Sequence, residues 1–309
     1  MNRTTFFHTT ATAFLVLGGV AGVNLISPAS AAAQAIGGED APATVELTGI
    51  VRDFRERTGQ DGYAGHPDFE RKPNAGFGHY AGNVALELGA DGNPVFTGNG
   101  KKLNTQFTDS GGNPICYALY NAAAGDVAGS WSSADTGGIQ SAESFAMWFR
   151  DTPGMNMSQQ LSLTFVRQAD GSYVFDDKQD DAYKNMGGFF PIDGKMFGNP
   201  GGTPDHNFHF TFELHTEFTY HADRSQLFEF RGDDDVWVFI DNKLVIDIGG
   251  VHGAKSQFVD LHRLGLEDGE NYQLSFFFAE RHRTQSNFRI VTNLALANVQ
   301  LPTISASFD

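Results

Sequence analysis

The stretch Phe208-His209-Phe210-Thr211-Phe212-Glu213-Leu214-His215-Thr216-Glu217-Phe218 places Phe208, Phe210, Phe212, Leu214 and Phe218 on one face of an extended chain. His209, Thr211, Glu213, His215 and Glu217 fall on the other, and only Thr216 breaks the period of two. Successive side chains of a strand point to opposite faces, so this pattern predicts a β-strand with one buried face. The same pattern predicts strands at 44–52, 161–167, 173–175, 227–230, 236–240, 243–247, 257–260, 272–279 and 288–296. Asp241-Asn242 between two apolar runs reads as a tight hairpin turn, and Asp91-Gly92, Asp170-Gly171 and Asp268-Gly269 mark further reversals. Many short strands at close spacing imply an all-β sandwich or barrel. Helical spacing is confined to residues 141–149.

The 309 residues include 36 glycines and 28 phenylalanines. Arg3 is the only Lys, Arg, Asp or Glu before Glu39; an apolar stretch at 13–26 follows it, then Pro28 and a run of small residues with several A-x-A cleavage sites. Residues 1–35 are therefore expected to be a secretory signal peptide, the alternative being a retained N-terminal anchor. No later segment is apolar enough for a membrane helix. Its removal would take away Arg3 and no acid, so the formal charge of −16 would become −17. Such an acidic chain argues against nucleic acid as a partner and suits a divalent cation, although acidic surfaces also serve solubility alone. Cys116, the sole cysteine, excludes an intramolecular disulfide and reads as a buried structural thiol. Residues 97–138, rich in Gly, Asn, Ser, Asp and Thr around the apolar island 116–120, read as a long loop or insertion. The expected organisation is a loop-rich β region at 36–181, a denser β core at 182–298 and a tail at 299–309.

Chemistry concentrates where Asp233, Asp234 and Asp235 interrupt two apolar strands. Three adjacent carboxylates repel one another unless a positive charge sits among them. With Gly232 permitting a sharp bend, they either converge on a hard cation or form a solvated acidic turn. A helix-loop-helix calcium loop is excluded, because neither a second helix nor a ladder of ligands follows. His209, Glu213 and His215 share a strand face, which leaves a zinc or copper site and ordinary hydrogen bonding as alternatives. His252 reads as shaping the turn after Asp247. The sequence contains no G-x-S-x-G elbow, P-loop, H-E-x-x-H or dinucleotide fingerprint. A carboxylate pair for glycoside hydrolysis, for instance Glu213 with Asp234, depends on separations that sequence does not carry.

The motifs Arg52-Asp53-Phe54, His66-Pro67-Asp68-Phe69, Phe189-Phe190-Pro191-Ile192-Asp193-Gly194, His206-Asn207-Phe208-His209-Phe210-Thr211, Gly232-Asp233-Asp234-Asp235-Val236-Trp237 and Phe278-Ala279-Glu280-Arg281 together resemble the fibro-slime domain family over nearly the whole chain beyond residue 35. Residues 189–296 also resemble the protective-antigen fourteen-kilodalton module, a β-barrel of toxins, glycosidases and adhesins. The resemblance implies that two adjacent aspartates joined by a cis peptide, here Asp233 and Asp234, hold a calcium ion that also grips sugar hydroxyls; Asp235 falls where many relatives have glycine. It further implies ligands from the loop at 280–287, with Asn287 as the candidate, Glu280 as its alternative, and a turn role for Asn287 left open. Trp237, Arg281, His282 and Arg283 are candidate sugar contacts. Against that, the alternation of Trp237 with Val236 and Val238 also fits a core position, and Arg281 also fits a surface ion pair with Glu280 or Asp260. The expectation is a secreted, calcium-dependent module that binds a glycan or cell-surface polysaccharide and is not an enzyme. The alternatives are a structural matrix or surface protein with a structural calcium site, and a glycoside hydrolase.

Overall fold

Strand follows strand through the chain because alternating aromatic and β-branched residues recur between turn residues. The computed structural model describes Met1 and residues 41–299; the expected signal peptide and all but the first residue of the tail lie outside the described residues. In chain order the strands are β1 (Thr44–Phe54), β2 (Tyr80–Ala81), β3 (Lys101–Thr105), β4 (Phe107–Thr108), β5 (Pro114–Ile115), β6 (Ser130–Ala134), β7 (Asn156–Arg167) and β8 (Tyr173–Asp176). They continue with β9 (Phe210–Thr219), β10 (Leu227–Gly232), β11 (Asp235–Ile240), β12 (Lys243–Ile248), β13 (Lys255–Asp260), β14 (Asn271–Glu280), β15 (Phe288–Thr292) and β16 (Ala297–Asn298).

Among the described residues eleven strands form one sheet in the order β12-β11-β14-β9-β1-β7-β8-β15-β10-β13, with β16 also on β9. All its pairings are antiparallel, and the sheet curls into a nearly closed barrel. At the seam between β12 and β13 a side chain replaces the ladder: Asp247 N donates to Gln257 Oε1 at 2.8 Å, and Gln257 Nε2 donates to Asp247 O at 2.9 Å. Strands from both sides of residue 181 share this sheet, β1 lying between β9 and β7. The β11–β12 hairpin turns at Asp241 and Asn242, whose φ angles of 51° and 60° match a type I′ turn.

Two apolar clusters use opposite faces of the same strands. Phe210, Phe212, Val236, Val238, Phe276 and Phe278 fill the barrel. Trp237, Phe239 and Phe277 point outward, where Phe145, Trp148 and Phe149 cover them. That double burial explains the unbroken apolar runs of β11 and β14, which alternation of a one-sided sheet would not produce.

Three expectations change. Residues 97–138 are not structureless: β3 and β6 join β2 in a three-stranded sheet, and β4 pairs with β5. The helical segment shrinks to one turn, α1 (Ala142–Phe145), capped by Ser141, which accepts from Ser144 N. The last long strand stops at Thr292, because Asn293 satisfies neighbouring backbone with its side chain: Oδ1 accepts from Leu227 N at 2.8 Å and Nδ2 donates to Ser225 O at 2.7 Å.

Candidate functional site

At one barrel end two connections cross at the same place. β10 pairs with β15, Gly232 opposite Phe288, while β11 pairs with β14, Asp235 opposite Ala279. The step from β10 to β11 therefore passes from one part of the sheet to another, and so does the loop from β14 to β15. Asp233-Asp234 and residues 281–287 are thereby laid against each other. Glycine is required at 232, since a Cβ there would stand 2.1 Å from Asn287 O. The Asp233–Asp234 peptide is cis, as the resemblance implies; the Arg283–Thr284 peptide of the facing loop is cis as well.

The three aspartates are buried but do not act as one cluster. Asp233 accepts from Asn287, from its backbone N at 2.6 Å and its Nδ2 at 2.9 Å, which places that sequence candidate directly on the first aspartate. Asp234 accepts from His252 N at 3.1 Å and Arg281 N at 3.3 Å. Asp235 points elsewhere: Arg281 Nε donates to it at 2.5 Å and so does Gly250 N at 2.5 Å. Arg281 is completely buried, with its remaining nitrogens on Gly137 O at 2.8 Å and Asp68 O at 3.3 Å. It is thus an internal counter-ion for Asp235, neither a surface ion pair nor within reach of a ligand. Trp237 is also fully buried and donates from Nε1 to Asp247 Oδ1 at 3.0 Å, so it offers no platform.

Glu280 joins the site from the end of β14. It is completely buried, and its Oε2 has no hydrogen-bond partner among the described residues; Ser286 beside it gives its hydroxyl proton to Phe189 O at 2.8 Å. Burial pushes the Asp233 carboxyl up to about 6 against the pull of the Asn287 hydrogen bonds. Burial likewise drives Asp234 well above the usual carboxylate range, Arg281 opposing it and Asp233 and Asp235 adding to it. Glu280 is raised by burial and then by Asp234 and Asp233. The Arg281 guanidinium is engaged by Asp235 and feels Asp234 and Asp68 as well, so the carboxylate oxygens of Asp233, Asp234 and Glu280 are left over, and these suit a hard divalent cation.

Beside Asp234 opens a cleft of about 240 Å³, edged by His252, His282, Arg283, Gln285 and Phe77. The candidates His282 and Arg283 do meet Asp234 here. Phe77 is new: its ring is 48% exposed and stands edge-on to His282 at 5.0 Å. Its signal in the sequence is an aromatic held between Gly76 and Gly78, where nothing apolar surrounds it to form a strand.

Of the two alternatives for His209, Glu213 and His215, the three-residue metal grouping does not form and the hydrogen-bonded one does. Among the described residues the group whose ligand atoms all lie within 4.8 Å of one another is Glu56, Glu70 and His209. His209 Nε2 lies 3.0 Å from Glu70 Oε1, and Arg283 Nη1 lies 2.8 Å from Glu56 and 2.9 Å from Glu70, so a guanidinium already occupies this group. Glu213 instead takes Arg52 Nη1 at 2.9 Å, and His215 Nδ1 pairs with Ser275 Oγ at 3.0 Å. Glu213 and His215 stay side by side, Oε2 and Nε2 3.8 Å apart, whereas His209 finds its partner on a neighbouring segment. Glu213 and Asp234 line separate clefts, which removes that pair as the two carboxylates of a glycosidase.

With this geometry in hand, comparison with known proteins gives a class: residues 193–307 match the PA14 domain, a carbohydrate-binding type of module. The chain is homologous to psi proteins of Dictyostelium discoideum. It is 35% identical to protein psiC over 247 residues, 77% of this chain and 40% of that protein. Protein psiD is 41% identical over 162 residues, 50% of this chain and 30% of psiD; protein psiQ is 40% identical over 170 residues, 51% of this chain and 16% of psiQ. The chain thus spans less than half the length of these relatives. A solved structure, the GH31 alpha-xylosidase from Xanthomonas citri, aligns over 85% of this chain and 20% of its own with 9% identity and a TM-score of 0.18, too low to carry any argument.

Proposed function

We propose that this chain is a secreted, calcium-dependent carbohydrate-binding and adhesion module, without enzymatic activity, and that a fibro-slime domain extends over the whole region beyond residue 35. The observation that carries the reading is the buried Glu280 Oε2, without a hydrogen-bond partner among the described residues, behind Asp234, which itself lines an open cleft. A buried anion without a counter-charge is costly, and a divalent cation removes that cost while presenting open coordination positions to vicinal hydroxyls. Asp233, Asp234 and Glu280 would hold the ion, with Asn287 orienting Asp233. Phe77 offers its exposed ring to the apolar face of a sugar, and His282 and Arg283 border the same space. Secretion is supported by the leader-like composition of residues 1–35.

Calorimetric titration with calcium, on the wild type and on Asp234→Ala, tests the ion; equal affinity in both removes the ligand assignment. A glycan array probed with calcium and with chelator tests the sugar. Chelator-sensitive binding is expected, and silence under both conditions would leave the structural reading in its place.

A further inference from the structure

A second cleft, of about 530 Å³, opens on the outward face of β1, β9 and β14, and its volume falls within the range of small-molecule sites. We propose that it is a metal-independent binding site for an uncharged pyranoside, separate from the aspartate site and not resting on the calcium reading.

The geometry combines apolar lining with directional polar atoms. Leu88, with the edges of the nearly buried Phe149 and Ile50, gives the apolar part of the lining, against which the C–H groups of a sugar ring can rest. Glu213 is 95% buried by its side chain, the exposed remainder being 5%, and its Oε1 is held by Arg52 Nη1 at 2.9 Å. Its Oε2 carries no hydrogen bond among the described residues and lies 3.8 Å from His215 Nε2, whose ring is anchored through Nδ1 on Ser275. That spacing is too long for a direct bond, and it leaves room for one hydroxyl to donate to the carboxylate while meeting the imidazole. Gln273 and Asn93 add amide groups at the rim.

Charge selects a neutral ligand. Arg52 is engaged by Asp151 and Glu213, and Arg150 by Asp91, so every arginine of the lining is matched. An anion would meet three carboxylates, and a cation would have to displace the arginines that hold them.

The test is saturation-transfer NMR with methyl α-glucoside, methyl α-galactoside and methyl α-mannoside, recorded in EDTA on the whole protein. Transfer to at least one glycoside is expected in the wild type and equally in Asp234→Asn, which silences the other site. Gln273→Trp, at an exposed rim position, should fill the cleft and weaken that binding at least tenfold; should its circular dichroism differ from wild type, Asn93→Trp, at another lining position, replaces it. No transfer from any of the three glycosides in EDTA, or equal transfer after the cleft is blocked, overturns the proposal. Loss of calcium binding alone would overturn the aspartate site and leave this one standing.

Discussion

One short loop, residues 281–287, supplies a guanidinium to each of two groups of acids, and the groups differ in what that leaves. Arg283 reaches Glu56 and Glu70 together, beside His209 and with His282 3.5 Å from Glu70. Those two acids are also partly wetted, at 22% and 15% side-chain exposure. Arg281 is driven into the interior by contrast, where Asp235 takes its guanidinium and no salt bridge among the described residues reaches Asp233, Asp234 or Glu280. A carboxylate pair matched by the chain stabilises a loop, whereas dry carboxylates in excess of the chain's cations hold a charge that only protons or an external ion neutralises.

The largest effect that would sharpen this contrast is on stability. Arg281→Met strands Asp235 in the interior and should cost about 3–5 kcal/mol in chemical denaturation, as for other buried pairs cut on one side. Next comes ion binding: Asp234→Ala should weaken calcium ~100-fold or more in calorimetry, since ligand charge sets affinity at such sites. Glu56→Gln, in the group that already has its cation, should leave calcium affinity unchanged and cost about 1 kcal/mol or less; a large loss of calcium there would break the distinction between the groups.

The smallest effect is a pH dependence away from either group. Burial pushes the Asp247 carboxyl up to about 7, the Gly82 and Trp237 hydrogen bonds pulling the other way. Its native form therefore holds a proton more tightly than the unfolded chain does, and ionisation costs stability as pH climbs from the ordinary carboxylate value to about 7. The melting temperature of Asp247→Asn minus that of wild type should rise across that window and level off above it. A flat difference would mean that Asp247 ionises without cost in the folded barrel.

Legibility in the sequence followed the range of the interactions. Strand after strand was visible from alternation, and the type I′ turn from Asp241-Asn242, because both depend on neighbours in the chain. The Asp233-Asp234 corner with Asn287 was visible through resemblance to a family. Arg281 was placed outward and Trp237 left between a sugar contact and the core, its core alternative being the one found, because the segment around Trp148 covers the outer face of β11 and β14 and nothing local to those strands announces a cover. Within 97–138, β4 and β5 were missed because two-residue pairings leave no period to detect, and β3 and β6 because they are mostly exposed and carry no apolar alternation. Phe77, Glu56 and Glu70 come from loops whose place beside the 281–287 loop depends on the closed barrel.

What the sequence determined by itself was a β-framework with a cluster of acids at one strand end, since side-chain period and turn chemistry act over a few residues. Tertiary structure alone decided which acid received Arg281, which received Arg283, and that Glu280 Oε2 received no hydrogen bond among the described residues, because burial and charge pairing are settled between segments far apart in the chain.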